Sequence, residues 1–195
     1  GIESIEGALK PEVIIGSTGR GGSSYVDTVI TTQVLGAPWK LVSGFDSSSD
    51  LRLAILRGDI HAMWGSYGSA VEGIETGELK PILRAGVLPI VALDDIPRVA
   101  DVTDGDTELV EAWRGLAEIG RPVVGPPGIP YDRLDFLRHV LESAITDPEF
   151  EEKARAASRE LSFQNGAEIE ATVAKASKMS PETRKTLADA IIEQP

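Results

Sequence analysis

The sequence predicts an α/β fold in which helices flank a parallel sheet, followed by a mainly helical C-terminal part. Three strand–loop–helix units follow one another between positions 11 and 86. Each connection between strands is long enough for a helix, which parallel strands require. The 195 residues fit one domain or two small lobes, and the 42% apolar content is that of an ordinary folded protein.

The first two units show the alternation of strand and helix most clearly. Apolar β-branched residues at 13–15 predict a strand, the glycine-rich stretch 16–24 a loop, and residues 25–35 a helix. Residues 39–45 predict the second strand. A run of serines just after that strand supplies hydroxyl caps for a helix over 50–57. These units therefore predict two parallel strands joined by a helical crossover.

The third unit is shorter and richer in small residues. An apolar run at 59–64 predicts a strand, and a loop of glycine and hydroxyl residues leads from it to a helix at 70–76. Residues 81–85 predict a fourth strand. We therefore expect a ligand-binding α/β lobe at 11–86.

The rest of the chain divides into a connection and a helical part. Prolines and acidic residues interrupt 87–120 before a helix at 112–119, which indicates an inter-lobe connection. Residues 121–195 are expected to be the mainly helical part of the other lobe, with a strand candidate at 122–124. Its predicted helices cover 130–145 with Pro130 as the first helical residue, 148–160 with Asp147 as N-cap, 167–178, and 181–193 with Ser180 as N-cap.

Charge and hydropathy narrow the classes of partner. The chain has 19 Lys+Arg against 31 Asp+Glu, a formal net charge of −12. Such a surface repels nucleic-acid phosphates and acidic lipid headgroups, so we expect no nucleic-acid partner. The apolar runs are far shorter than the roughly 20 residues that cross a bilayer. The first residues show no signal-peptide pattern.

Cysteine and histidine are scarce, which limits catalytic and metal chemistry. With no cysteine, the chain has no disulfide, no thiolate nucleophile and no cysteine-ligated zinc. His61 and His139 have no nucleophile or second ligand nearby in the sequence, and we interpret both as structural. We therefore predict a protein that is not an enzyme and holds no metal or cofactor.

The strongest signal for binding is the stretch 16–24, GSTGRGGSS, between a predicted strand and a helix N-terminus. Free backbone N–H groups and hydroxyls at such a place are typical of anion sites. A P-loop would need lysine at Gly22, and a dinucleotide-binding fingerprint would need glycine at Ser24. The alternative interpretation is a tight turn that uses glycine only for its backbone freedom.

Two further loops occupy matching positions, at 44–48 and 65–69, and both contain glycine and hydroxyl residues. Ligands of open α/β sheets bind outside the carboxyl ends of the strands, so we expect the three loops to converge there on a small polar ligand. Trp64 and Tyr67 are candidates to wall such a site, with core packing an equal alternative for Trp64. Neutral donors of this kind favour binding without catalysis.

Five sequence blocks together resemble a known family. They read VIIGSTG at 13–19, DLRLAILRGDI at 50–60, GIETGELKPIL at 73–83, DIPRVADV at 95–102 and PPGIPYDRL at 126–134. In this order and spacing, over about residues 11–174, the chain resembles the substrate-binding receptors of tripartite tricarboxylate transporters, the Bug receptors. The resemblance implies a type II periplasmic-binding fold and a periplasmic or other extracytoplasmic receptor. Such a receptor captures a small organic carboxylate for membrane transporter subunits.

The resemblance also implies which residues contact the ligand. They lie in the three loops already singled out, and the first loop cradles the carboxylate. The residues are Ser17, Thr18, Gly19, Gly21, Gly22 and Ser23 in the first loop, Gly44, Phe45, Asp46 and Ser47 in the second, and Gly65, Ser66 and Tyr67 in the third.

Two departures from the family pattern carry expectations of their own. The family's opening half-lobe has no counterpart before Pro11, so we expect a truncated lobe, helices after Val124 with exposed apolar surface, and a homodimer. Asp46 stands where members often have lysine. Its charge would repel a carboxylate by roughly 1 to 4 kcal/mol at about 4 Å, unless Asp46 instead caps the following helix and points away.

Two other functions compete with the receptor. One is an α/β enzyme that binds a phosphate or nucleotide through the loop at 16–24, although the P-loop lysine is missing. The other is the effector-binding domain of a regulator, which shares this fold class. No basic helix-turn-helix segment accompanies it in this sequence.

Overall fold

The computed structural model describes residues 2–86, 90–105, 107–157, 161 and 163–192. Its first half alternates strands and helices, and its second half is helical. The elements are α1 (Ile5–Ala8), β1 (Ile14–Thr18), α2 (Ser23–Leu35), β2 (Lys40–Phe45), α3 (Ser48–Arg57), β3 (Ala62–Met63), α4 (Tyr67–Glu75), α5 (Val99–Val102), α6 (Thr107–Ile119), α7 (Tyr131–Ile145), α8 (Pro148–Ala156), α9 (Gly166–Ala176) and α10 (Pro181–Ile192), with a 3₁₀ turn at Val91–Leu93.

The sheet consists of parallel strands in the order β2–β1–β3. Ile14 pairs with Lys40 of β2, and Ile15 pairs with Ala62 of β3. The central strand is the most buried, since Ile15 is almost fully covered. The predicted α/β class, with a parallel sheet flanked by helices, is therefore confirmed.

Two apolar clusters cover the sheet. The connection through α2 runs from β1 to β2, and the connection through α3 runs from β2 to β3 on the other side of β1. Because such connections are right-handed, α2 and α3 lie on opposite faces of the sheet. Each helix contributes to its own apolar cluster. One cluster contains Ile30, Val34, Val99, Leu109, Val110, Ala112, Trp113, Leu187 and Ala190, and the other contains Leu51, Ala54 and Ile60.

Gly16 in β1 allows α3 to lie close against the sheet. A Cβ atom at this position would be 2.3 Å from Ile60 Cδ1 and 2.7 Å from Leu51 Cδ2. Contacts this short do not occur between real carbon atoms, so a larger residue would force both core side chains to move. This glycine therefore serves the close packing of α3 on the sheet.

Most predicted helix starts lie within two residues of the observed ones, but α4 begins at Tyr67 and not at 70, and α6 begins at Thr107 and not at 112. Asp147 caps α8 and the Ser180 hydroxyl accepts from Thr183 N, as predicted. Pro130 is the N-cap of α7 and not its first helical residue, so this helix begins one residue later than predicted. Helices α1 and α5 were not predicted. α8 ends at Ala156 with Ala157 as its C-cap, so its predicted extension to 160 is wrong, and the predicted end of α10 at 193 lies outside the described residues.

Two predicted strands are wrong. In 81–85 only Arg84 forms a bridge, to Arg98. Residues 122–124 form no strand and face solvent, with Val123 78% and Val124 82% exposed. Both segments carry the β-branched residues of a strand, but neither has a neighbouring strand to pair with among the described residues.

The chain forms two compact units, Gly1–Ala117 with Met179–Pro195, and Glu118–Lys178. In the first unit, α10 packs against α2. The predicted division at 11–86, 87–120 and 121–195 stays a prediction, and α10 lies with the sheet-bearing unit in the structure. No helix among the described residues has the length and apolar character needed to span a bilayer.

The second unit leaves much apolar surface open. Phe136 of α7 is 65% exposed, and Val140 of the same helix and Phe150 of α8 are about half exposed. These side chains border an open groove between α7 and α8. In this unit only Ala154 is buried among the residues whose burial is described. The expectation of exposed apolar surface after Val124 is therefore met.

Candidate functional site

Three loops begin side by side at the carboxyl edge of the sheet. Central β1 ends at Thr18, which pairs with Phe45 at the end of β2. On the other side, Gly16 of β1 pairs with Met63 at the end of β3. The connection after β1 leads to β2 on one side of it, whereas the connection after β2 leads to β3 on the other side. The position between β1 and β3 at this edge is therefore a topological switch point, the usual ligand site of an open α/β sheet.

The glycine-rich loop after β1 is folded on itself by hydrogen bonds. The Gly22 N–H donates to the Gly19 carbonyl at 3.0 Å. The Ser24 hydroxyl accepts from Thr18 N at 3.0 Å and lies 2.9 Å from Thr18 Oγ1. Ser17 is fully buried, and its hydroxyl donates to the Thr18 carbonyl at 3.1 Å. These side-chain hydroxyls therefore form hydrogen bonds that hold the loop together.

The groups of this loop that remain for a ligand are mainly backbone amides. α2 begins at Ser23 with Gly22 as N-cap, and no side chain accepts from its first turn within the described residues. The first N–H groups of a helix have no partner inside the helix and carry its positive dipole end. The structure thus leaves the start of α2 without a side-chain cap among the described residues, beside the exposed Gly19 and Arg20, and helix N-termini of this kind favour anions.

The glycines of this loop differ in what surrounds them. A Cβ atom on Gly22 would lie 2.6 Å from Thr18 Oγ1 and 3.0 Å from the Gly19 carbonyl oxygen, so the loop itself requires glycine there. Gly21 has φ of 79°, and its added Cβ would lie 3.4 Å from the Ile191 carbonyl oxygen. Gly19 has open space around it. A side chain at position 19 would therefore extend into open space and contact no other part of the protein.

The second loop contains a bulge and a helix cap. The β1–β2 register shifts so that Ser17 pairs with Ser43 and Thr18 with Phe45, which leaves Gly44 between them at φ of 109°. Phe45 itself is partly buried and packs on the α3 cluster.

Ser47, and not Asp46, caps α3. Its hydroxyl accepts from Asp50 N at 3.2 Å and donates to Asp50 Oδ2 at 2.7 Å. The interpretation of Asp46 as a cap is therefore wrong. Asp46 is exposed and directly follows the end of β2.

The third loop starts from a core tryptophan. Trp64 follows β3 directly and packs edge-on against Trp113, with ring centroids 5.6 Å apart and planes at 89°. Of the two roles considered for Trp64, the structure shows packing against the core. Gly65 and Ser66 are exposed, and Tyr67 is half-buried at the first position of α4.

Two residues that contact each other near these loops were not singled out from the sequence. They are Asp27 and Trp113. Asp27 Oδ1 accepts from Trp113 Nε1 at 2.8 Å. Burial raises the pKa of the Asp27 carboxyl, and the tryptophan N–H acts in the opposite direction. Nothing in the sequence marks Asp27 or Trp113.

Both histidines have structural surroundings. The Ile14 N–H donates to His61 Nδ1 at 3.0 Å, and the His61 N–H donates to the Ile14 carbonyl at 2.8 Å, so His61 extends the pairing between β1 and β3. His139 lies on the exposed side of α7. A hydrogen bond with the Asp135 carbonyl raises the pKa of His139, helped by the Asp135 carboxylate.

Comparison with known proteins gives a shared fold. No family model matches the sequence, and no curated protein matches it. A TctC solute-binding protein from Polaromonas, solved without ligand, is 14% identical with a TM-score of 0.64 over 95% of this chain and 60% of that one. A protein of R. palustris solved with adipate is 15% identical with a TM-score of 0.61 over 95% of this chain and 61% of that one.

These neighbours establish the architecture. The sheet and its helices match the periplasmic-binding-protein-like fold of the TctC protein, as the sequence resemblance implied. The description of the Polaromonas protein also names the class of receptor that the sequence blocks resemble. The chain spans about three fifths of the length of each neighbour.

Proposed function

We propose that this chain is a solute-binding protein that holds a small organic carboxylate at the carboxyl edge of its β2–β1–β3 sheet. The observation that carries the proposal is the meeting of three loops at the switch point, beside the α2 N-terminus that has no side-chain cap among the described residues. The fold shared with a TctC solute-binding protein supports it. The donors are mainly backbone N–H groups, which hold a carboxylate without exchanging a proton with it, so the proposed role is binding and not catalysis.

The geometry indicates which of the proposed residues would contact the ligand through the side chain and which through the backbone. Gly19 and Ser23 of the first loop and Gly65 and Ser66 of the third are exposed at the edge. The side chains of Ser17, Thr18 and Ser47 have partners inside the protein, so these residues would contribute through their backbone. The complete proposed set remains the thirteen loop residues from Ser17 to Tyr67 named from the resemblance.

The ligand is expected to have a low charge. A helix N-terminus stabilises an anion by typically 0.3–1 kcal/mol, about 2 kcal/mol in partly buried geometries. Arg20 adds a cation at the loop tip, and Asp46 adds an opposing negative charge. A short dicarboxylate such as adipate, the compound in one neighbour's structure, is therefore the first ligand to test.

Gly19 allows a direct test of the site. We expect Gly19→Val to weaken adipate binding at least tenfold in titration calorimetry, because the new side chain would fill the open space over the loop. Gly86→Val is the matched control, since Gly86 is also exposed, has open space around it and lies outside the three loops. Unchanged affinity in a folded Gly19→Val variant would contradict the assignment. Heat from ATP or inorganic phosphate but not from adipate would favour the nucleotide-binding alternative.

The partnership and location proposed for the protein follow from the same likeness. We place it outside the cytoplasm, where a receptor of the tripartite tricarboxylate type delivers its carboxylate to membrane transporter subunits. The exposed apolar side chains of α7 and α8 also support a homodimer. Co-purification with the transporter subunits encoded nearby would test the first proposal, and failure to capture them from solubilised membranes would oppose it.

A further inference from the structure

Three side chains form a continuous connection from α2 to the third loop. Asp27 on α2 accepts a hydrogen bond from the Trp113 indole on α6 at 2.8 Å. The Trp113 ring meets the Trp64 ring edge-on, with centroids 5.6 Å apart. Trp64 is the residue between β3 and the exposed Gly65 and Ser66. The connection thus joins the helix of the first loop to the base of the third.

The burial of this connection makes its geometry specific. Trp113 is only 2% exposed, so its indole N–H needs an acceptor inside the protein. A carboxylate is a stronger acceptor than a neutral group and fixes the orientation of the donor. With the Trp113 ring held by Asp27, the perpendicular contact leaves Trp64 one preferred orientation.

The third loop depends on such an anchor because its strand is short. β3 has two residues, and only Ala62 and Met63 pair with β1 within the described strands. The loop has its own bonds from Ser69, whose hydroxyl and N–H donate to the Ser66 carbonyl at 2.8 and 3.0 Å. Those bonds shape the loop locally and do not fix it to the sheet. Trp64 supplies the attachment to the core.

We propose that Asp27 is a positioning residue for Gly65 and Ser66, acting through Trp113 and Trp64. Its effect on ligand affinity rests on the proposed function, whereas its effect on the loop does not. Removing the carboxylate releases the Trp113 ring, loosens Trp64 and lets the third loop move away from the first.

The first arm of the test needs no ligand. We compare Asp27→Ala, which removes the acceptor, Asp27→Asn, which keeps an acceptor oxygen, and Trp113→Phe, which keeps an aromatic ring and removes the indole N–H donor. The NMR order parameters of the Gly65 and Ser66 amides should fall from the rigid-backbone value of about 0.85 to below about 0.6 in Asp27→Ala and Trp113→Phe. They should stay near the wild-type values in Asp27→Asn. Near-ultraviolet circular dichroism should lose tryptophan intensity in Asp27→Ala and keep it in Asp27→Asn, with Trp39 a constant background.

The distribution of the change along the chain decides between positioning and plain destabilisation. Amides of α3 serve as the internal reference, because Leu51 and Ala54 belong to the apolar cluster that does not contain Trp113. An equal fall in the order parameters of α3, or no fall at Gly65 and Ser66, would overturn the proposal. If Asp27→Ala does not fold, Trp113→Phe against Asp27→Asn decides by the same comparison.

The second arm measures adipate affinity in the same variants. We expect about a tenfold loss in Asp27→Ala and less than a twofold change in Asp27→Asn. Wild type that binds no carboxylate would refute the proposed function while the order-parameter result still stands. Full affinity in Asp27→Ala despite a loosened loop would overturn the role of Asp27 in the site.

Discussion

The Ser24 hydroxyl joins the two ends of the glycine-rich loop. It accepts the Thr18 N–H and contacts Thr18 Oγ1, while Ser24 itself is buried in the first turn of α2. The loop conformation is therefore set before any ligand arrives, which lowers the entropy that binding would cost.

Ser24→Ala should destabilise the protein by about 1–3 kcal/mol, because the partly buried Thr18 N–H loses its acceptor. Urea unfolding measures the loss. Ser23→Ala is the matched control, since Ser23 is exposed at the neighbouring position, and it should change stability by less than about 0.5 kcal/mol. Equal losses in the two variants would show that Ser24 does not tie the loop.

Asp46→Asn should raise affinity for carboxylates in proportion to their charge. The exposed carboxylate at the end of β2 repels a trianion more than a monoanion, and the substitution removes the charge with little change in shape. Titrations with mono-, di- and tricarboxylates measure the trend, which should shrink at high salt. Asp59→Asn is the control, because Asp59 is exposed before β3, at the opposite edge. Equal shifts across the ligand series would place Asp46 away from the site.

At the scale of elements, Glu108 links the starts of two helices. Its carboxylate, in the first turn of α6, accepts from Ser180 N and from Thr183 Oγ1, each at 2.8 Å, at the start of α10. α10 therefore receives an N-terminal cap from a residue far away in sequence, in addition to its own Ser180.

This link predicts a loss of stability in acid. Hydrogen bonds from Ser180, then from Thr183, lower the pKa of Glu108 in the folded protein. A lowered folded pKa means that the stabilisation is complete above the unfolded value, near 4.5, and is lost as the pH falls through the folded value. Glu108→Gln should therefore flatten the acid limb of thermal unfolding against pH. The exposed Glu75→Gln should leave that limb as in wild type.

Elements with local signals were predicted better than those without. Ser47, Asp147 and the glycines that end α2 and α3 mark helix ends through contacts within a few residues. Strand formation depends on a neighbour that is distant in sequence, which explains the wrong strands at 81–85 and 122–124. The three loops were found because strand ends and glycines are visible in the sequence. The Ser17 and Thr18 hydroxyls form hydrogen bonds within the loop. These bonds depend on packing that the sequence does not reveal.

At the scale of the whole molecule, the two units differ in how completely they bury their apolar residues. The sheet-bearing unit has two buried clusters, whereas α7 and α8 present Phe136, Val140 and Phe150 to solvent. Exposed apolar patches of this kind mark interaction surfaces.

The homodimer proposal gives a concentration-dependent expectation. Sedimentation should show a dimer that dissociates on dilution, and Phe136→Glu should shift it to monomer by placing a charge in the contact. Leu53→Glu is the control, because Leu53 is also partly exposed but lies on α3 of the other unit. A wild-type chain that remains monomeric at all concentrations would refute the homodimer.

The packing of α10 on α2 has a consequence for biosynthesis. Leu187 and Ala190 lie in the same cluster as Ile30 and Val34, so α10 covers a helix that is synthesised long before it. Contacts so distant in sequence form slowly. During translation the apolar side of α2 that α10 will cover is therefore exposed until α10 has been synthesised. Chains in such a state aggregate or recruit chaperones most readily. A ribosome that stalls before α10 would therefore release a protein with its strands made and its core open.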